Sequence, residues 1–189
     1  MLNNKKIKNH QSKLIFLLFT LACLLYGKDT NNTSHTISVI VPKIALLDIE
    51  SDISNDITLE ILSPSEAGNS LQQSATNNNL WLNVTSVAES GNFRDITVKI
   101  NKPMKGVDIN VVSDTYSGLG YGSWGTPLPQ ITLSPNDQTL ISGIKSGISG
   151  DGIFNGFNLK YSAQIADSNY GSISSSENKD ITVTYTLTQ

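Results

Sequence analysis

The chain has 189 residues, 38% of them hydrophobic, 15% charged and 7% aromatic, with a formal net charge of −3. That length supports one domain with a real core, or two small ones, and the apolar share excludes a disordered protein. A single cysteine, Cys23, excludes a disulfide scaffold and a cysteine-based zinc site.

The chain opens on Lys5, Lys6, Lys8 and Lys13 with no acidic residue among them, and a 13-residue apolar run follows from Leu14 to Tyr26. A helix needs ~20 apolar residues to cross a bilayer. A basic start, a short apolar stretch and then small or polar residues form the pattern of a secretory signal peptide. Cleavage is expected after Gly27, with Ala22 as the second candidate; an uncleaved anchor and a lipoprotein signal at Cys23 are the alternatives. The expected organisation is a signal peptide over 1–27 and one domain over 28–189, with no stable membrane span. The product is expected to be secreted, on the cell surface or in the periplasm. The leader takes four of the 13 basic residues and none of the 16 acidic ones, so nine face 16 and the net charge falls to −7. An acidic product without a basic cluster argues against nucleic acid and anionic lipid as partners.

From Thr36 onward the dominant period is two. Thr36 to Val41 and Ile44 to Ile49 are apolar on both faces around Pro42, which cannot donate a ladder hydrogen bond and so belongs at an edge or bulge. Two readings follow: a first strand that crosses from one sheet to the other, or an arm donated to the sheet of a neighbouring copy. In the second, the last strand sits beside the accepting groove. Ile57, Leu59 and Ile61 alternate with Thr58 and Glu60, and Ser65 to Gln73 makes at most one or two helical turns. Leu80, Leu82 and Val84 alternate with Trp81, Asn83 and Thr85, which puts Trp81 over an edge or at a sheet-to-sheet junction. Ile96, Val98 and Ile100 and then Val107, Ile109 and Val111 make two strands, with Asn101–Gly106 as a hairpin connection. Ile131 and Leu133 form a short strand between Pro129 and Pro135, and Ser134–Asp137 reads as a second hairpin turn. Leu140, Ile141 and Ile144 follow, then a flexible connection from Ser146 to Gly152 with a turn at Asp151-Gly152. Leu159, Tyr161, Ala163 and Ile165, and finally Ile181, Val183, Tyr185 and Leu187, make the last two strands. Short alternating strands with turns between them predict an all-β chain, a single antiparallel two-sheet sandwich of Ig-like or pilin-like form.

The closing strand Ile181-Thr182-Val183-Thr184-Tyr185-Thr186-Leu187, with Pro42-Lys43-Ile44-Ala45-Leu46-Leu47-Asp48-Ile49-Glu50 early in the chain, resembles bacterial fimbrial-subunit domains of the spore-coat-U and chaperone–usher pilin kind. The pattern is also similar to short secreted bacterial proteins. The resemblance implies an exported surface subunit, with further copies or a secretion chaperone as partners.

Catalytic chemistry is sparse. His35 is the only histidine after the leader and reads as a solvated tail residue, so neither a Ser-His-Asp triad nor a multi-histidine metal site is expected. Gly118-Leu119-Gly120-Tyr121-Gly122 precedes no helical pattern and is not read as a phosphate cradle. Asp48, Glu50 and Asp52 share one face of an extended strand; calcium ligation is one use, but a solvated acidic face that discourages edge pairing is the expected one. The chain is therefore read as non-catalytic, without cofactor or metal. Tyr116, Tyr121 and Trp124 lie in a Gly- and Ser-rich loop, where flat rings beside small polar groups can hold a sugar or a peptide. They are the candidate ligand-binding residues, with capping of one end of the sandwich as the alternative. The expected function is an exported structural or adhesive surface protein, a fimbrial-type subunit assembling by strand donation. The alternative is a carbohydrate- or peptide-binding module using the aromatic loop, with a glycan as partner.

Overall fold

Side chains alternate across a pleated strand, so an apolar residue at every second position buries one face of it. The computed structural model describes residues 32–165, 167–175 and 180–188, and strands dominate it. In chain order they are β1 (Ile44–Glu50), β2 (Asn77–Val87), β3 (Arg94–Ile100), β4 (Val107–Ser113), β5 (Tyr121–Gly122), β6 (Thr126–Pro127), β7 (Ile131–Thr132), β8 (Gln138–Ile144), β9 (Gly147–Ile148), β10 (Phe157–Ile165) and β11 (Val183–Leu187). One stretch of 3-10 helix, Asp167–Ser172, lies between β10 and β11. The expected signal peptide at 1–27 lies outside the described residues. The chain divides into a unit ending at Ile40 and a unit from Val41 onward. Residues 32–40, the described part of the first, carry no strand.

Two antiparallel sheets make up the second unit, and the fold is the antiparallel sandwich that the alternation predicts. In the first sheet, β2 has β1 along one side and β10 and then β9 along the other. Beyond β10 come β4 and β7, and beyond β9 comes β5. The second sheet runs β11–β3–β8–β6. Leu82, Ile96, Val98, Leu140, Phe157 and Leu159 are fully buried in one cluster between the sheets. Each such side chain stabilises the fold by roughly 1.5–3 kcal/mol. Leu140 and Ile141 are both buried although adjacent, because the β3–β8 register slips between Ile96 and Thr97. An extra residue at such a bulge lets two neighbours face the same side.

Several connections differ from the expectation. Asn101–Gly106 and Ser134–Asp137 are crossovers between sheets rather than hairpins, since β3 and β4, and likewise β7 and β8, belong to different sheets. Alternation states which face is buried, but not which neighbour receives the hydrogen bonds. The expected extended arm becomes strand only after Pro42-Lys43. β2 ends at Val87, the partner of Ile44, so the ladder offers nothing earlier to pair with. β1 keeps β2 as its partner throughout and does not change sheets. Ile57 and Leu59 pack against the core as their spacing requires, yet residues 57–61 join no ladder. The isolated bridge from Leu62 to Gln72 closes the loop that follows, without a helix.

Two polar ties cross the sandwich. The hydroxyls of Tyr161 on β10 and Tyr185 on β11 hydrogen-bond to each other, joining the sheets. Burial pushes the Tyr161 phenol up to about 12, partly opposed by this bond, and burial and then the neighbouring phenol hold Tyr185 well above its usual value. Arg94 is only 2% exposed. It donates to the carbonyls of Thr188 (2.9 Å) and Val87 (3.4 Å), while Thr188 accepts from Asp95 N through Oγ1 (2.7 Å). These bonds hold the end of β11.

Candidate functional site: the outer face of the first sheet

Register assembles this face. Leu46, Thr85, Ile148 and Tyr121 are successive partners across β1, β2, β9 and β5. Their neighbours Ala45, Leu47, Leu82 and Val84 turn toward the core, so this row turns away from it. Leu46, Ile148 and Tyr121 are exposed, which leaves an apolar row on the surface. Two residues along, Asp48 partners Asn83, and two further on Glu50, Trp81 and Asn158 stand side by side. Partners on one face bring their Cβ atoms within ~5.5 Å, so these side chains are neighbours. Trp81 therefore sits in mid-sheet, between β1 and β10, and not at the edge or junction expected. The Lys160 ammonium on β10 is held by Asp114 at 2.7 Å.

The chain between β9 and β10 rises over this face. Ser149 anchors it, donating its N–H to Val84 O (2.8 Å) and accepting Val84 N at its hydroxyl (2.9 Å). Asn83 then donates its amide to Gly152 O (3.1 Å), and Asn155 donates to Asp151 O (2.7 Å) while accepting Leu119 N (3.1 Å). The result sets the Phe154 ring edge-on to Trp81, with centroids 5.6 Å apart and planes at 68°.

The three rings singled out in the sequence part company. Tyr116 stacks on Trp124 at 4.3 Å and meets Phe157 edge-on at 6.1 Å, and both Tyr116 and Trp124 pack against the core. The Tyr116 hydroxyl donates to Ser149 O (3.2 Å) and accepts Gly120 N (2.7 Å), so it fastens the aromatic loop to the β9 end. Tyr121 is 78% exposed and belongs to the outer face. Trp81, Asn83 and Phe154 were not among the candidate ligand-binding residues, although a signal exists: Gly150, Gly152 and Gly156 recur every second or fourth residue around Phe154.

Of the acidic residues, Asp48 and Glu50 point outward from β1, whereas Asp52 lies past the end of that strand. Among the described residues no group of three His, Cys, Asp or Glu side chains is placed to hold a metal. No helix among them is long and apolar enough to cross a membrane. A cleft of about 300 Å³ at the β2–β3 turn is lined by Lys43, Glu89, Asn92, Phe93 and Arg94. The Lys43–Glu89 pair is loose at 3.9 Å, and Lys145 lies 5.3 Å over the Phe93 ring. Comparison with protein-family models, with curated proteins and with solved structures gives no match.

Proposed function

We propose that the protein is an exported, non-catalytic structural or adhesive subunit of the bacterial cell surface, and that its copies associate by strand addition. One observation carries this reading. Ile37, Val39, Ile40 and Val41 are 70–88% exposed and belong to no strand. Covering such side chains is worth roughly 1.5–3 kcal/mol each, and an extended arm of this kind is what sheet augmentation uses.

The strand edges favour one acceptor. β6 ends in Pro127, β7 lies between Pro129 and Pro135, β5 is two residues long, and β1 carries Asp48 and Glu50. Proline, charge and shortness all guard an edge against pairing. β11 has none of these and pairs with β3 alone. Thr182 and Thr188 bond to Asn101 and Asp95 on the β3 side. By the alternation of an antiparallel ladder, Val183, Tyr185 and Leu187 then direct their N–H and C=O groups the other way. Ile37, Val39 and Val41 alternate as Val183, Tyr185 and Leu187 do. The core is already closed, so the added strand would lengthen the second sheet rather than fill a gap in it.

The test uses one variant on each side. Val39→Asp disables the arm, and Val183→Pro removes an outward N–H together with a side chain that packs against the core, so both variants are first checked for a cooperative melt. Light scattering on size-exclusion fractions should give oligomers for the parent protein, monomers for each variant, and a heterodimer when the two are mixed. A monomeric parent, or variants that still associate, would overturn the proposal.

A further inference from the structure

We infer that the corner between Trp81 and Phe154, flanked by Asp48 and Glu50, is a binding site for a neutral sugar ring. The inference is independent of strand addition, which uses the second sheet. It starts from backbone conformation. Gly150, Gly152, Phe154 and Gly156 all have positive φ, between 67° and 87°, and Phe154 is the only non-glycine residue with one among those described. Glycine adopts that conformation freely, while an L-residue with a bulky side chain does so at a cost. At three of the four positions the sequence supplies glycine; at the fourth it supplies phenylalanine.

Core packing gives no return for that strain, since Phe154 is 68% exposed. Its ring contact is with Trp81, which lies on the outer face of the sheet beside Glu50 and Asn158. A strained backbone held in place by Asn83 and Asn155 to present a ring to water marks a site rather than a packing solution.

The surroundings define the ligand class. Two rings at 68° make an open corner rather than a flat stack. A pyranose has an apolar C–H face that lies on an aromatic ring and a rim of hydroxyls that seeks acceptors and amides. Glu50 is the direct partner of Trp81, and Asp48 that of Asn83, so two carboxylates stand beside the corner. Neither is paired with a lysine or arginine in the ion pairs of the described residues. Asn79 is exposed two residues before Trp81 on the same face. Hydroxyl hydrogens can satisfy the carboxylates, and an acidic sugar would be repelled by them; the preference is therefore for neutral glycans.

The full exported protein would be screened against arrayed neutral and sialylated oligosaccharides, and neutral hits titrated in solution by following tryptophan fluorescence. Phe154→Gly and Glu50→Gln should each weaken binding about tenfold or more. Both should melt within about 3 °C of the parent, because relief of strain in the first offsets its lost ring contact. Tyr121→Ala and Val39→Asp should bind as the parent does. Four results would each overturn the inference: no neutral glycan bound by the parent, preference for sialylated glycans or oligolysine, binding retained by both site variants, or loss only with Tyr121→Ala. The last would leave glycan binding standing but move it to the 114–125 loop.

Discussion

Removal of the Tyr161–Tyr185 contact tests how the two sheets are held together. Tyr161 is 2% exposed, whereas Tyr185 is half-buried as a residue with its hydroxyl against that of Tyr161. Tyr185→Phe strands the Tyr161 hydroxyl, and a buried polar group without a partner costs about 1–3 kcal/mol. Tyr161→Phe strands the Tyr185 hydroxyl, whose pKa burial also holds well above its usual value, so its cost should fall in the same range. The double Phe variant removes both groups together and should lose less than the two single losses combined. Urea denaturation of the four proteins at neutral pH measures this coupling. The same pair sets an alkaline limit. Well below pH 10 both phenols are protonated whether the chain is folded or not, and they contribute no slope. Above it the unfolded chain releases protons that folded Tyr161 keeps to about 12, so stability falls as pH rises. At no more than about 1.4 kcal/mol per pH unit, Tyr161 alone removes about 2 kcal/mol between pH 10 and 12, and Tyr185 acts in the same direction. The double Phe variant should lack this part of the slope. Additive single losses, or equal alkaline slopes, would refute the argument.

Two further substitutions probe the aromatic loop and the end of β11. A Cβ on Gly120 would lie 1.9 Å from Ile148 O, so Gly120→Ala must move backbone; a loss of roughly 1–3 kcal/mol in urea and an altered Trp124 fluorescence are expected. An unchanged midpoint would mean that the aromatic loop is not fastened through Gly120 and Tyr116. Arg94→Met keeps most of the buried bulk but withdraws the donors to Thr188 O and Val87 O, costing about 2 kcal/mol. Hydrogen exchange at residues 184–188 should quicken; unchanged exchange would show that the β3 ladder alone holds that end.

What the sequence disclosed follows from what alternation encodes. Leu80, Leu82 and Val84, or Leu159, Tyr161 and Ala163, announce a buried face because period two survives in the order of residues. Pairing does not survive in the same way. β3 and β4 look like the arms of a hairpin and lie in different sheets, because a turn and a crossover can share the same residues. Residues 57–61 have the alternation of a strand and no ladder, since the pattern contains no acceptor for their backbone groups. The candidate site fails to show for a related reason. Asp48, the strand pair Trp81 and Asn83, and Phe154 are distant from one another in sequence and meet only through the β1–β2 register and the fold of the β9–β10 loop. Tyr116, Tyr121 and Trp124 are close in sequence, but two of them stack against the core and one turns outward. Proximity along the chain is a poor guide where neighbouring strand residues face opposite sides.

Placement on different sheets has a consequence for assembly and recognition together. β11 is an edge of the second sheet, and Trp81 and Phe154 stand on the outer face of the first. A strand added at β11 would extend the second sheet in its own plane and leave the other sheet's outer face uncovered. Each added copy would bring one more corner, so weak single contacts would be multiplied without any change in the site. Linked weak sites can exceed the affinity of one by ~10²–10⁴ where geometry permits joint engagement. Oligomers of the parent protein should therefore hold a surface coated with a neutral glycan far longer than monomers of Val39→Asp, although both bind the free oligosaccharide equally. Surface plasmon resonance separates the two quantities. Equal residence of oligomer and monomer on the coated surface would show that assembly hides the corner or spaces its copies too far apart.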